Sequence, residues 1–328
     1  MDTQLIDQLF TLPAKDAWPA LFEQLWLKFS GTIRPDVADA VTTERDRECA
    51  SLDNLLSGSA WELWQGYESC APRTSEVLKQ FWAERHQGKA VLILDGLSLR
   101  ETPWLLEQAR QRGYTLHQQR VTGAELPGDT TPFAKALGFG QRSNLANNQG
   151  KSEFFPGAWT EVSGLPFADC AVQIIAEPNI IFWHEWPDSE MHELADENGY
   201  RKLAKSAASQ LRSDDFWVLV ERLTTGRRLI ITADHGYAHS GLFPDVASKD
   251  QSNYLKDSFK SGRSNKVELV DKPHYWVPPL TQILDTGHGR WELVLGRRKW
   301  KSQGGYPSLA HGGLSLLEVA VPFIELSK

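Results

Sequence analysis

"RRLIITADHG", residues 227–236, is an apolar run that ends in a carboxylate, an imidazole and a glycine. Leu229, Ile230, Ile231 and Thr232 lead into Ala233, Asp234, His235 and Gly236. A short continuous apolar run suits a strand buried on both faces. Its end has two readings. Asp and Gly favour turns, and the imidazole can face solvent. Alternatively, the carboxylate and imidazole are metal ligands at the carboxyl edge of a sheet. What else the chain brings to that edge decides between them.

Working outward, "KAVLILDG" at 89–96 is a second apolar run, ending in Asp95, and "NIIFWHEW" at 179–186 is a third. Between the strands lie helical patterns. "ETPWLLEQARQRG" has Pro103 suited to a first turn and Gly113 to a stop, and "YRKLAKSAASQLRSDDFWVLVERLTTG" follows the third run. "SLLEVAVPFIEL" closes the chain as a brief helical turn and a strand. Strands alternating with helices predict an α/β fold with a doubly wound, largely parallel sheet flanked by helices. Residues 1–85 carry Leu, Trp and Phe at three- and four-residue spacings and read as a helical N-terminal region, a candidate docking element. Residues 86–328 read as the catalytic domain, with a polar excursion over 245–275.

The 328 residues are 41% hydrophobic and 23% charged, enough for a packed core of this size. The net charge of −7 disfavours broad coating of duplex nucleic acid. Three dispersed cysteines, Cys49, Cys70 and Cys170, without CxxC spacing, predict a reduced, cytoplasmic protein. "MDTQLIDQLF" does not read as a signal peptide, and no run reaches the roughly 18 apolar residues of a membrane span.

In a doubly wound sheet, sites collect beyond the carboxyl ends of the strands. Asp95 ends one strand. "PDSEMH" after the next places Asp188 and His192 four residues apart. Asp234 and His235 end the third, and "LAHGGLSLLEVAVP" brings His311 before two glycines. Singly, each could be a cap or a turn. Together they are a mixed carboxylate and imidazole set, which suits Zn²⁺ or a similar divalent ion such as Mn²⁺. Six ligands exceed one tetrahedral ion with an open position, so they divide into two sites.

"LILDGLSLRE" (92–101), "LPGDTTPFAKALGFG" (126–140), "ITADHGYA" (231–238) and "HGGLSLLEVAVPFIEL" (311–326) resemble the PglZ branch of the alkaline phosphatase superfamily. The resemblance covers about residues 88–328 and leaves residues 1–85 outside it. It implies an alkaline phosphatase-like core and two zinc ions per chain. Asp95, Thr131, Asp234 and His235 would hold one ion, and Asp188, His192 and His311 the other. It also implies a hydroxyl nucleophile between Asp95 and Asp188. Thr131 fits the family's Thr-Pro-aromatic wording, with Thr130 as the alternative. Pro132 biases Thr131 out of helical angles, as an N-cap requires, and a helix N-terminus favours phosphate.

The resemblance further implies a two-metal hydrolase acting through a phosphothreonine. A phosphodiesterase on nucleotide or oligonucleotide substrates is the first expectation, and a phosphomonoesterase an alternative. Its setting would be a bacterial anti-phage defence system. A PglZ scaffold subunit with structural metals, bound to other subunits, is the reading from a different class. Two further expectations concern charge. The basic run Arg297, Arg298, Lys299 reads either as a solvated face or as an edge gripping substrate phosphates. Beside Thr131 the sequence offers only Lys135 as a cation, which favours diesters.

Overall fold

The computed structural model describes residues 3–194, 199–239, 243–268, 276–302 and 309–328. Five helices open the chain: α1 (Thr3–Thr11), α2 (Ala14–Phe29), α3 (Ala38–Ser59), α4 (Tyr67–Cys70) and α5 (Thr74–Ala83). Then β1 (Lys89–Leu94), α6 (Thr102–Gln111), β2 (Thr115–Gly123), α7 (Thr130–Ala136), β3 (Trp159–Ser163), α8 (Phe167–Gln173) and β4 (Asn179–His184) follow. After them come α9 (Asp188–Glu193), α10 (Gly199–Gln210), α11 (Asp214–Thr224), β5 (Arg228–Thr232) and β6 (Ala238–His239). The last part holds α12 (Lys249–Phe259), β7 (Ser264–Lys266), β8 (Thr281–Thr286), β9 (Gly289–Val294), β10 (Leu309–Ala310), α13 (Leu316–Val319) and β11 (Ala320–Ser327).

The central sheet has the order β2-β11-β5-β1-β4-β3. β3, β4, β1 and β5 run parallel, and β11 pairs antiparallel with both β5 and β2. Alternate residues of β1 serve opposite faces, as a pleated strand requires. Ala90, Leu92 and Leu94 pack with Leu105 of α6, Ala171 of α8 and Phe216 of α11. Val91 and Ile93 pack with Leu78 of α5 and Phe133 of α7. Helices on both faces make the sheet doubly wound. In register, Leu94 of β1 lies beside His184 of β4, and Ile93 beside Thr232 of β5. Asp95, Asp188 and Asp234 therefore leave one edge together.

The N-terminal helices share a core with the rest. Trp18, Leu21 and Phe22 of α2 and Leu52 and Leu56 of α3 cluster with Leu99, Val121, Leu126, Leu314 and Leu316. Residue 85 thus lies just before the first strand, and the helices ahead of it pack into one cluster with residues that follow it. Two acids of α3 reach further. Asp46 Oδ1 accepts from Arg297 Nη1 at 2.7 Å, and its Oδ2 lies 2.9 Å from Arg100 Nη2. Asp53 accepts from Arg297 Nε and from the Leu316 amide, both at 2.7 Å. All four side chains are buried. The 245–275 excursion supplies α12 and β7, which joins β9 and β8 in a small antiparallel sheet. Among the described residues, no helix is long and apolar enough to cross a membrane.

Candidate metal centre

Asp95 follows β1 and is fully buried. Its two oxygens face different ways. Oδ2 accepts from Trp183 Nε1 at 3.0 Å and from Arg142 Nη1. Oδ1 lies 3.6 Å from His235 Nε2. Gly96, at φ +73°, turns the chain so that its amide donates to Asp234 Oδ1 at 3.0 Å. Asp234 Oδ2 is left pointing at His235 Nε2, 3.6 Å away.

The glycine after His235 has a steric reason. A Cβ on Gly236 would come within 2.3 Å of the Leu317 carbonyl oxygen, so only glycine lets this turn lie against α13. The Gly236 carbonyl in turn accepts from His235 Nδ1 at 3.0 Å. A proton on Nδ1 leaves Nε2 as a bare donor of its lone pair, the arrangement usual for a metal-bound imidazole. His311 is set the same way, with Nδ1 at 3.1 Å from the Gly128 carbonyl. Its ring stacks on that of His235 at 4.2 Å.

The turn carrying His311 is braced from the excursion. Arg263 donates through Nε and Nη2 to the two oxygens of Glu318, at 2.6 and 3.0 Å. Glu318 also accepts from the Gly313 amide at 2.9 Å and from Ser315 Oγ at 2.5 Å. Asp188, at the start of α9, is tied by its amide to the Asp95 carbonyl at 2.9 Å. Its Oδ2 lies 3.2 Å from His192 Nε2, and its Oδ1 lies 3.9 Å from His311 Nε2.

Two groups of donors result, Asp95 with Asp234 and His235, and Asp188 with His235 and His311. Within each group the donor atoms lie within 4.8 Å of one another. His235 belongs to both. His192 sits at the outer side of Asp188 and is largely exposed. The chemistry of this set fits divalent metal. Asp188 Oδ1, Asp234 Oδ2 and His235 Nε2 are buried and have no hydrogen-bond partner among the described residues. Such orphaned atoms are costly unless something satisfies them. Burial and the neighbouring Asp234 push the Asp95 carboxyl well above its ordinary range. Burial alone would lower the His235 pKa, but the carboxylates of Asp234, Asp188 and Asp95 lift it to about 9. An excess of clustered negative charge is what a bound cation relieves.

The cap of α7 differs from the sequence reading. The N-cap of α7 is Asp129, whose Oδ1 accepts from the Thr130 amide at 2.8 Å. Thr130 is then the first helical residue, and its Oγ1 lies 3.4 and 3.5 Å from the two oxygens of Asp95. Thr131, expected as cap, ligand and nucleophile, is exposed on the next position. The reason is local. Asp is at least as good a cap as Thr, and Pro132 is tolerated in the first turn because its missing N–H has no intrahelical use there. With only seven residues, α7 also offers little helix dipole.

One member of the basic run is corrected too. Arg297 is buried and committed to Asp46 and Asp53, so it grips no substrate. Arg298 donates to the Leu295 and Pro279 carbonyls at 3.0 and 3.1 Å. Lys299 is half-buried, and its backbone bridges to Asp245. Among the described residues, the Arg or Lys that pairs with a candidate ligand is Arg142. It bonds to Asp95, and its Nη2 lies 3.2 Å from Glu185 Oε1. Nothing in "GQRSN" marks it, because its partners come from distant segments.

The sequence matches no protein-family model and no curated protein. Among solved structures, murine ectonucleotide pyrophosphatase/phosphodiesterase 5, an inactive variant in complex with AMP, aligns over 73% of this chain and 88% of its own. The identity is 13% and the TM-score 0.44. Phosphonoacetate hydrolase from Sinorhizobium meliloti 1021, in complex with phosphonoformate, aligns over 73% and 89%, at 14% identity and a TM-score of 0.42.

Proposed function

We propose that this chain is a metal-dependent hydrolase of phosphoester bonds with Thr130 as its nucleophile. One observation carries the reading: orphaned carboxylate and imidazole donors converge beside a threonine hydroxyl at the carboxyl edge of the sheet. Asp95, Asp234 and His235 would hold one ion, and Asp188 and His311, with His192 at their side, the other. The mix of nitrogen and oxygen donors suits zinc. Bound there, divalent ions supply Lewis-acid stabilisation of an alkoxide and of charge on phosphoryl and leaving oxygens.

The chain's own residues set the geometry of the displacement. Thr130 Oγ bonds to phosphorus as the bond to the leaving oxygen breaks. Water then cleaves the phosphothreonine and restores the hydroxyl. Trp183 fixes Asp95 through one oxygen and leaves the other to face His235. The Gly236 and Gly128 carbonyls keep His235 and His311 in the tautomer that presents Nε2. The two grounds for preferring diesters are weakened, since Arg142 stands beside Asp95 and Arg297 is buried.

The test is turnover by zinc-loaded protein of 4-nitrophenyl phosphate, bis(4-nitrophenyl) phosphate and a short oligonucleotide. At least one should be hydrolysed, with activity lost to a chelator and restored by zinc. Zinc binding without turnover of any of the three would instead favour the scaffold reading.

A further inference from the structure

We infer that Asp46 and Asp53 of α3 are positioning residues for the metal centre, locking the loop of His235 against the turn of His311. The inference rests on the metal-centre reading above and on no choice of substrate. Both acids belong to residues 1–85, outside the stretches that carry the family resemblance. They stand seven residues apart, about two helical turns, so they leave one face of α3. Two routes run from that face to the ligands.

The first route starts at Asp46, whose Oδ2 lies 2.9 Å from Arg100 Nη2. Nη1 of the same guanidinium donates to the Tyr237 carbonyl at 2.6 Å and to Ser98 Oγ at 3.0 Å. Tyr237 is two residues past His235, and Ser98 is three past Asp95. One guanidinium therefore ties the loops that leave β5 and β1. Glu101 ties them again, accepting from Tyr237 Oη at 2.7 Å and from the Ser98 amide at 2.8 Å. The second route starts at Asp53, whose Oδ1 accepts at 2.7 Å from the amide of Leu316, the first residue of α13. Glu318 of α13 serves both ligand loops. Its carbonyl accepts from the Gly236 amide at 3.0 Å, and its carboxylate from the Gly313 amide at 2.9 Å. Arg297 closes the frame, with Nη1 on Asp46 and Nε on Asp53.

Two features separate this role from ordinary packing. Buried acids and guanidiniums carry a desolvation cost that apolar side chains of similar volume avoid. Covering the sheet gives α3 no use for them, whereas fixing a backbone carbonyl and a backbone amide does. The routes also end beside His235 and His311, whose rings stack at 4.2 Å although they come from separate segments. Asp95 and Asp234 have other supports in Trp183 and the Gly96 amide. The ion held by Asp188, His235 and His311 should therefore depend most on α3.

The experiment measures zinc affinity by chelator competition, together with Tm, for the parent, Asp46→Asn, Asp53→Asn, the double variant and Leu223→Ala. Leu223 is buried near the end of α11, just before β5 begins, whereas the ligands lie past the other end of β5. Its truncation lowers stability by leaving a cavity, without touching the clamp. In the double variant one zinc should bind roughly 10- to 100-fold more weakly and the other within about 3-fold, the range expected when a ligand's supporting contacts are removed. The visible bands of the cobalt-loaded double variant should shift, and those of Leu223→Ala should not. Unchanged zinc affinity in the double variant overturns the inference, and so does an equal loss in Leu223→Ala. If the double variant does not fold, the single variants are judged by the same criteria, since each leaves Arg297 one acid. If the parent binds no zinc, the metal reading falls, and amide exchange of the zinc-free proteins decides whether the clamp exists. Faster exchange over 235–237 and 311–317 in the double variant than in Leu223→Ala upholds it, and equal exchange overturns it.

Discussion

Thr130→Ala should abolish turnover, lowering kcat by roughly 10³-fold or more, while Thr131→Ala changes it by less than about 3-fold. The two residues are adjacent, alike in chemistry and both in the first turn of α7, so each controls for the other. Only Thr130 points its hydroxyl at Asp95. Its contact there is long and half-buried, so stability should fall by no more than about 1 kcal/mol. Zinc should stay bound, because the carboxylates and imidazoles remain. Kinetics with a chromogenic ester, zinc analysis and a thermal melt check all three points. The reverse order of effects would return the nucleophile to Thr131.

Asp46→Ala should cost about 3–5 kcal/mol, the usual penalty for stranding one side of a buried ion pair. For a chain of this size that is a fall in Tm of roughly 10 °C. Asp46 lies between two buried guanidiniums. Arg297 stays bonded to the Asp53 carboxylate, but Arg100 keeps the Tyr237 carbonyl at 2.6 Å and, among the described residues, has no other carboxylate paired with it. Burial works against a charged Asp46, yet Arg100 and Arg297 hold its carboxyl below the ordinary value of 3.8. A lowered folded-state pKa means the contribution is full above that value and is lost as pH falls below it. The deficit of the variant should therefore shrink on acidification below about pH 4. Chemical denaturation at pH 7 and pH 3.5 measures both effects. A deficit below about 1 kcal/mol at pH 7 would mean that α3 is only loosely joined to the segment carrying Arg297.

What was legible in the sequence was whatever is local. β1, β4 and β5 are covered on both faces, so each reads as an apolar run, and the acids that follow them announce the sheet edge. β2 and β3 are edge strands. The sequence of β2, "TLHQQRVTG", is exposed along much of its length, so no apolar run marks it. The helix cap was misplaced because the proline rule points to Thr131, whereas Asp129 is the cap and Thr130, the alternative, lies nearest Asp95. The charged partners were missed because they are distant along the chain. Arg142 meets Asp95 across 47 residues, Arg263 meets Glu318 across 55, and Arg297 meets Asp46 across 251. Within a basic run that reads as surface, Arg297 is buried because α3, from far upstream, brings Asp46 and Asp53 to it.

The metal centre is tested most directly by anomalous diffraction at the zinc edge from crystals of the full chain grown with excess zinc. Two peaks are expected. One should lie about 2.0–2.2 Å from donor atoms of Asp95, Asp234 and His235, and the other at the same range from Asp188 and His311, with His192 completing it. Zinc found only elsewhere on the molecule, with none within bonding distance of these residues, would contradict the assignment.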